Sequence, residues 1–160
     1  MKIGQGYDLH RLIPKEKCSN KELLLGGIVI PFTKSLEGHS DADVLIHAII
    51  DSLLGAASLG DIGDHFPPSD DKYKNADSLV LLKAVKKLLD QKNFKIINID
   101  STVIAEAPKL GPHKKEMQKK LAETLALDIE QVNVKATTTE GLGEIGKEEA
   151  IAAMAVSLLE

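Results

Sequence analysis

Hydrophobic positions along the chain follow a period of two in some segments and a period near 3.6 in others, which predicts strands and helices in turn. The predicted strands cover residues 2–10, 22–30, 94–106 and 131–136. The predicted helices cover residues 41–59, 77–91, a segment through Met117 and Leu125, and an alanine-rich segment from about Lys147 to Leu159. The order β-β-α-α-β-α-β-α predicts an α/β (α+β) fold over residues 1–160, a single domain in which helices pack on one sheet.

Composition and charge narrow the class of protein. The 160 residues are 43% hydrophobic and 28% charged, which is typical of one globular domain. Twenty Lys and Arg face 24 Asp and Glu, and only 3% of residues are aromatic, so we expect no nucleic-acid partner. The single cysteine excludes a disulfide framework. Without an 18-residue apolar run or a signal-peptide pattern, we expect a cytoplasmic protein with no membrane partner.

The first strand and the first helix carry candidate metal ligands. Alternation places Gly4, Gly6, Asp8 and His10 on one side of the strand. The two glycines would leave an open space there, which ends at the donor side chains of Asp8 and His10. His47 lies on the helix between Asp43 and Asp51, at a spacing of four residues. Asp8, His10 and His47 could hold Zn²⁺ with one position left free, as in catalytic sites. The same residues also fit a surface strand end and a solvated helix face.

If His47 is a metal ligand, Asp43 or Asp51 could orient its ring.

Two further segments suit phosphate groups. His39 and Ser40 lie at the predicted start of the helix, where Ser40 could be the N-cap and backbone N–H groups favour an anion. Thr137 to Glu140 offer three hydroxyls and a carboxylate, which suit a phosphate with its divalent cation. An ordinary helix cap and ordinary strand residues remain alternative interpretations of these segments.

Five motifs together resemble the 2-C-methyl-D-erythritol 2,4-cyclodiphosphate synthase family. They are GQGYDLH (4–10), GHSDADVLIHA (38–48), LGDIGDHFP (59–67), AEAPKLGPH (105–113) and VKATTTEGLG (134–143). The resemblance implies conversion of 4-diphosphocytidyl-2-C-methyl-D-erythritol 2-phosphate to the cyclic diphosphate, with release of CMP, in the non-mevalonate isoprenoid pathway. It also implies a mixed sheet with helices on one face, and a homotrimer with active sites between subunits.

The resemblance further assigns roles to individual residues. It implies Zn²⁺ on Asp8, His10 and His47, a second cation (Mg²⁺ or Mn²⁺) on Glu140, and transition-state stabilisation by His39 and Thr138. The implied partner is the cytidine diphosphate-linked substrate, and the segment 105–111 would receive its cytosine. The implied substrate-binding residues are Asp8, Leu9, His10, His39, Ser40, Asp61, Ile62, Gly63, Phe66, Pro67, Pro68, Ser69, Asp70, Ala105, Glu106, Ala107, Pro108, Lys109, Leu110, Gly111, Thr137, Thr138, Thr139 and Glu140.

One stretch departs from the family pattern. Many relatives carry an aromatic residue after the last motif and an arginine three residues later, where this chain has Glu144 and Lys147. On a helical turn these two side chains could form an ion pair.

Two other functions are compatible with the candidate metal and phosphate sites. One is a zinc-dependent phosphohydrolase that activates water, and the other is a trimeric metal- or nucleotide-binding module without turnover.

Overall fold

A five-stranded mixed sheet organises the molecule. The computed structural model describes residues 1–18, 22–67, 69–73 and 76–160. The strands are β1 (Lys2–Pro14), β2 (Leu23–Leu25), β3 (Ile28–Ile30), β4 (Lys34–Leu36), β5 (Ile96–Ile104), β6 (Val132–Thr137) and β7 (Ala150–Leu159). The sheet order is β4-β1-β7-β5-β6, in which only β5 and β6 pair in parallel, and β2 and β3 form a separate hairpin.

Two long helices pack on one face of this sheet, and a third lies against both of them. The helices are α1 (Val44–Ala57), α2 (Ile62–His65), α3 (Ser78–Gln91), α4 (Lys114–Leu125) and α5 (Gly143–Gly146), and short 3-10 turns lie at Lys15–Lys17, Asp71–Tyr73, Gly111–His113 and Ile129–Gln131. Helix α1 packs on β1 and β7, α4 packs on β6, and α3 lies against both helices. Their apolar side chains share one core with the sheet. This arrangement confirms the predicted mixed sheet with helices on one face.

Two glycines of β1 set the distance between the sheet and α1. A Cβ atom at Gly4 would lie 2.0 Å from the carbonyl oxygen of Ser52, and one at Gly6 would lie 2.0 Å from that of Ala48. Side-chain atoms do not approach backbone so closely, so only glycine permits this contact. The space beside the two glycines is therefore filled by helix backbone, and the open space expected from the sequence does not exist there.

Asp43, rather than the expected Ser40, caps the start of α1. Its buried carboxylate accepts the backbone N–H of Ile46 at 3.1 Å, which satisfies one of the unpaired donors of the helix. It also accepts the N–H groups of Gly26 at 2.9 Å and Gly27 at 2.7 Å, in the turn between β2 and β3. Asp43 therefore fastens the hairpin to α1, and the helix terminus is occupied by a carboxylate of the chain itself.

The segment predicted as a C-terminal helix is the strand β7, so that prediction was wrong. Alanine favours helices in isolation, and four of the ten residues of β7 are alanine. In the structure β7 lies in the middle of the sheet between β1 and β5, where it receives ladder hydrogen bonds from both sides. Small side chains suit a strand that α1 crosses closely, and this tertiary contact overrides the local propensity.

The smaller differences concern the boundaries of elements. Residues 22–30 form two strands with a turn at Gly26 and Gly27, both at positive φ, as the paired glycines indicated. Strand β1 continues to Pro14, because its far end pairs with β4. No helix within the described residues is long and apolar enough to cross a membrane.

Substitution of Gly6 by alanine tests the close approach of β1 and α1. We expect Gly6→Ala to lower the free energy of unfolding by about 3 kcal/mol, because the new methyl group overlaps the Ala48 carbonyl. Gly55→Ala on α1 is the matched control, since its Cβ would lie 3.8 Å from the Gln5 oxygen. The gain in helix propensity should leave that variant unchanged or more stable by up to about 1 kcal/mol. Urea denaturation measures both, and equal stabilities would contradict the packing argument.

Candidate metal centre and adjoining cavities

Asp8, His10 and His47 converge at the contact between β1 and α1. The Oδ2 atom of Asp8 lies 3.0 Å from Nε2 of His10 and 2.9 Å from Nδ1 of His47, and the two nitrogens are 3.2 Å apart. His47 is 8% exposed, and the other two residues are half-buried. The sequence predicted these three residues together, because strand alternation and the position of His47 on α1 direct them to the same place.

The charges within this triad stabilise each other. Burial by itself would raise the pKa of the Asp8 carboxyl, but the close polar contacts with the His10 and His47 rings outweigh it and hold the pKa below its usual value. Burial would lower the pKa of His10, but contact with Asp8 and a hydrogen bond to the Glu37 carbonyl raise it. The cluster therefore keeps the Asp8 carboxylate negative, as a metal ligand must be, and the proton that Asp8 favours on His10 would leave when a cation binds.

The distances within the triad fit a divalent ion. Ligands at about 2.0–2.1 Å from a tetrahedral zinc lie about 3.3–3.4 Å from one another. The three separations in the structure, 2.9, 3.0 and 3.2 Å, need to widen by only a few tenths of an ångström. Within the described part of the chain, these are the residues whose donor atoms meet as a potential metal site. One tetrahedral position would remain for another ligand.

The outward nitrogens of both histidines also have defined contacts. Nδ1 of His10 donates to the backbone carbonyl of Glu37 at 2.8 Å. Nε2 of His47 lies 3.0 Å from Oγ of Ser78 and 3.2 Å from Oγ of Ser40. The expectation that Asp43 or Asp51 orients the His47 ring was wrong.

Asp51 has a different structural task. Its Oδ1 accepts the backbone N–H of Ile62 at 2.8 Å and so ties α1 to the short helix α2. Burial raises the pKa of the Asp51 carboxyl, although the Ile62 hydrogen bond lowers it. Asp43 likewise serves the helix terminus and the β2–β3 turn. The polar stripe at four-residue spacing therefore contains one residue of the metal triad and two anchors for neighbouring segments.

A cavity of about 290 Å³ opens beside the triad. Its lining combines the triad with residues of the 38–41 loop, of α2 and of the segment after it, namely Asp8, His10, His39, Ser40, His47, Ile62, Gly63, Phe66, Tyr73 and Leu81. Phe66 and Tyr73 meet edge to face, with ring centroids 5.3 Å apart. Tyr73 and Leu81 were missed by the sequence reasoning, because an aromatic residue and a helix-face leucine are equally typical of a core.

A second cavity, of about 330 Å³, lies where β5 and β6 end. It is lined by Ala105, Glu106, Pro108, Lys109, Leu110, Gly111, Pro112, Lys114, Ala136, Thr137 and Thr138. Asp8 and Ala136 lie in one row across the sheet, through Ala153 and Val103. Three strand spacings of about 4.8 Å separate them by about 14 Å. The two cavities of one chain are therefore separate.

The remaining predicted substrate residues do not line these two cavities. They are Leu9, Asp61, Pro67, Ser69, Asp70, Ala107, Thr139 and Glu140. Asp61 caps α2 and accepts the Asp64 N–H at 3.1 Å. Leu9 faces the other side of the sheet from the triad, beside Ala152. Pro68 lies outside the described residues.

The loop after β6 presents Glu140 at its tip. Glu140 is exposed at φ +53°, and its carboxylate accepts the Thr138 hydroxyl at 2.8 Å. The Glu106 carboxylate accepts the backbone N–H groups of Thr139 at 3.3 Å and Gly141 at 3.4 Å. Glu106 therefore shapes this loop through its side chain, a contact that the sequence could not predict across more than thirty residues.

Comparisons with known proteins assign the chain to a family. The YgbB family model matches residues 1–160. The chain belongs to the YgbB family. It is 55% identical over 159 residues to a Clostridium perfringens protein named 2-C-methyl-D-erythritol 2,4-cyclodiphosphate synthase, covering 99% of each chain. A Syntrophomonas wolfei protein of the same name is 54% identical over 160 residues, which cover 100% of this chain and 99% of the relative.

Solved structures of YgbB-like proteins have the same fold. The bifunctional IspDF of Campylobacter jejuni matches with a TM-score of 0.92 and 46% identity, over 99% of this chain and 42% of that one. The chain thus spans less than half of that bifunctional protein. The 2C-methyl-D-erythritol 2,4-cyclodiphosphate synthase of Plasmodium vivax matches with a TM-score of 0.85 and 37% identity, over 99% and 97% of the two chains. Another such structure, from Plasmodium falciparum, is described as a CDP complex.

Glu144, one of the two residues at which the sequence was expected to differ from many relatives, lines a third depression. This space of about 460 Å³ is lined by Leu9, Arg11, Leu12, Ile13, Glu144, Glu149 and Ala150. Glu144 lies in α5, and Lys147 is the first residue after the end of this helix. Among the ion pairs of the described residues there is none between Glu144 and Lys147, so the expected pairing was wrong.

Proposed function

We propose that this chain converts 4-diphosphocytidyl-2-C-methyl-D-erythritol 2-phosphate to 2-C-methyl-D-erythritol 2,4-cyclodiphosphate and CMP, in the cytoplasm. The observation that carries the proposal is the preformed triad of Asp8, His10 and His47 at a cavity, in a chain at least 54% identical to synthases over its whole length. In the reaction an oxygen of the 2-phosphate attacks the β-phosphorus. The bond from that phosphorus to the oxygen shared with the α-phosphate breaks, and CMP leaves.

The nucleophile of this reaction belongs to the substrate, so the chain needs no activated serine or cysteine. Its tasks are to fold the substrate back on itself and to compensate the phosphate charges. We assign Zn²⁺ to Asp8, His10 and His47, because one carboxylate and two imidazoles are ligands that zinc prefers. A bound zinc would supply Lewis-acid stabilisation of the developing phosphate charge.

Residues around the first cavity would hold the diphosphate end of the substrate. His39 and Ser40 lie at its mouth, where the imidazole and the hydroxyl can donate to phosphate oxygens. Ile62, Gly63 and Phe66 form another part of the cavity wall. Asp51 fixes this wall through the Ile62 N–H, so a side chain outside the cavity sets the cavity's shape. We propose His39 as one of the two groups that stabilise the transition state.

The second cavity would receive the cytidine end. Its wall includes six of the seven residues from Ala105 to Gly111, and backbone groups of this segment would recognise the edge of a cytosine. Thr138 lines the same cavity and lies beside Glu140, so a hydroxyl and a carboxylate meet where the diphosphate would begin. We propose Thr138 as the second stabilising group and Glu140 as the ligand of a second cation, Mg²⁺ or Mn²⁺.

A homotrimer with active sites between subunits would join the two kinds of cavity. The sheet face opposite the helices carries five apolar side chains that are 40–73% exposed, namely Ile3, Tyr7, Leu9, Met154 and Val156. Exposed apolar side chains grouped on one sheet face in this way are typical of a protein interface. Within one chain, the metal triad and the end of β6 beside the cytidine segment are about 14 Å apart. Association through this face would bring the cytidine segment of one subunit near the metal triad of another.

Phosphorus NMR tests the reaction directly. We expect the purified protein, incubated with the diphosphocytidyl substrate and Mg²⁺, to produce CMP and a cyclic diphosphate in equal amounts. An acyclic phosphate product would indicate a phosphohydrolase that activates water. Binding of CMP without any product would indicate a binding module.

Removal of one triad residue tests the zinc assignment. We expect His47→Ala and Asp8→Asn to lose most of their bound zinc and most of their activity, because two ligands hold the ion far more weakly than three. The fold should survive, since the core is apolar and does not depend on the metal. His113→Ala, at the start of α4, is the matched control and should retain its zinc. Full zinc occupancy of His47→Ala in elemental analysis would refute the assignment.

Neutralisation of Glu140 tests the second cation. We expect Glu140→Gln to lower the turnover number by about 10²–10³-fold, the usual loss for an electrostatic group at a site of developing charge. Zinc content should remain at the wild-type level, because Glu140 is not part of the triad. Glu130→Gln, an exposed residue of another turn, is the control. If a magnesium titration shows wild-type turnover for Glu140→Gln, the residue has no role in cation binding.

A charge on the apolar sheet face tests the trimer. We expect Met154→Lys to dissociate the assembly, because a lysine from every subunit would be buried or brought close together at the interface. Val80→Lys places the same charge on an exposed apolar residue of α3 and should leave the assembly intact. Light scattering measures the mass of each variant. A wild-type monomer, or a trimeric Met154→Lys, would contradict the proposed interface.

A further inference from the structure

The nitrogen of His47 that faces away from the triad contacts a buried serine. Nδ1 of His47 faces Asp8 and His10, whereas Nε2 lies 3.0 Å from Oγ of Ser78. Ser78 is the first residue of α3 and has no exposed surface. The contact therefore joins α3 to a residue of the metal triad that lies on α1.

The direction of this hydrogen bond follows from the other partner of Ser78. The Ser78 hydroxyl donates to Oδ1 of Asp41, and the Ser78 backbone N–H donates to Oδ2 of the same carboxylate at 2.8 Å. A serine hydroxyl has one proton, and here that proton is given to Asp41. Oγ of Ser78 can then only accept from His47, so Nε2 must carry a proton.

We propose that Ser78, held by Asp41, is a positioning residue for the metal ligand His47. It keeps Nε2 protonated and fixes the plane of the ring, so that Nδ1 is the nitrogen that gives its lone pair to the ion. This inference rests on the proposed function, in which the triad holds zinc. An acceptor for the outer N–H of a ligating histidine orients the ring and raises its basicity as a ligand.

Ser40 is the competing acceptor for the same proton. Its Oγ lies 3.2 Å from Nε2 of His47, and it also accepts the Ala42 N–H at 3.2 Å. Ser40 lines the cavity and is partly exposed, whereas Ser78 is buried and closer. His10 shows the same principle with a backbone group, because its Nδ1 donates to the Glu37 carbonyl. Ser78 supplies from a side chain what Glu37 supplies from the backbone.

Zinc affinity without substrate provides the first measurement, by competition with a chromogenic chelator. We expect Ser78→Ala to bind zinc about 10–100-fold more weakly than the wild type. Ser78→Thr, which retains a hydroxyl, should recover most of this loss. Ser101→Ala is the matched control, since it removes a buried hydroxyl that donates to the Asn133 carbonyl at 2.8 Å, and it should bind zinc as the wild type does.

The His47 N–H resonance of the zinc-loaded protein provides a second measurement. In the wild type we expect the proton on Nε2 to exchange slowly with water and to show a nuclear Overhauser contact with Ser78. In Ser78→Ala the exchange should be fast, whereas Ser40→Ala should leave it slow. This measurement on the wild type decides the proposal even if Ser78→Ala does not fold, because fast exchange there would overturn it.

The outcomes separate this inference from the proposed function. A wild-type chain that binds no zinc overturns both. A wild-type chain that binds zinc, together with a folded Ser78→Ala variant of equal affinity, overturns only the role of Ser78. Equal losses of zinc affinity in Ser78→Ala and Ser101→Ala would mean that any buried hydroxyl stabilises the site indirectly. This result would also overturn the positioning role of Ser78.

Discussion

At Gly4 and Gly6 the backbone of β1 lies directly against the backbone of α1, and this contact fixes the position of the helix on the sheet. With a Cβ at either position the helix would have to move outward, because carbonyl oxygens of α1 lie 2.0 Å from where those atoms would be. The next two residues of the same strand face are Asp8 and His10. The close approach therefore sets the distance at which His47 meets them, and packing and chemistry share one cause.

Three aspartates tie together the segments around this contact, of which Asp43 is buried and Asp41 and Asp51 are half-buried. Asp43 joins α1 to the β2–β3 turn, Asp51 joins α1 to α2, and Asp41 joins the loop before α1 to α3. Within the described residues, every buried side-chain nitrogen and oxygen has a hydrogen-bond partner. Each carboxylate receives backbone N–H groups, so their cost of burial is offset by hydrogen bonds. The walls of the cavity beside the metal triad thus depend on aspartates that do not line it.

Periodicity predicted most of the strands, the three long helices and the common face of Asp8 and His10, because each of these patterns involves residues close together in the chain. Alternation placed Asp8 beside His10, and the helical pattern placed His47 on α1. The strand β7 could not be predicted in this way, since its position between two strands outweighs the helix propensity of alanine. The contact of Ser78 with His47 joins residues 31 positions apart and needs the packing of α3 on α1, which no local pattern contains.

The fold itself preforms the metal triad. Crystal structures of the protein without metal and with Zn²⁺ would compare the positions of Oδ2 of Asp8, Nε2 of His10 and Nδ1 of His47. We expect these three atoms to move by less than about 0.5 Å between the two structures, because packing and hydrogen bonds already hold the rings. Imidazole rings that are disordered or turned away in the metal-free crystal, and ordered only with zinc, would contradict it.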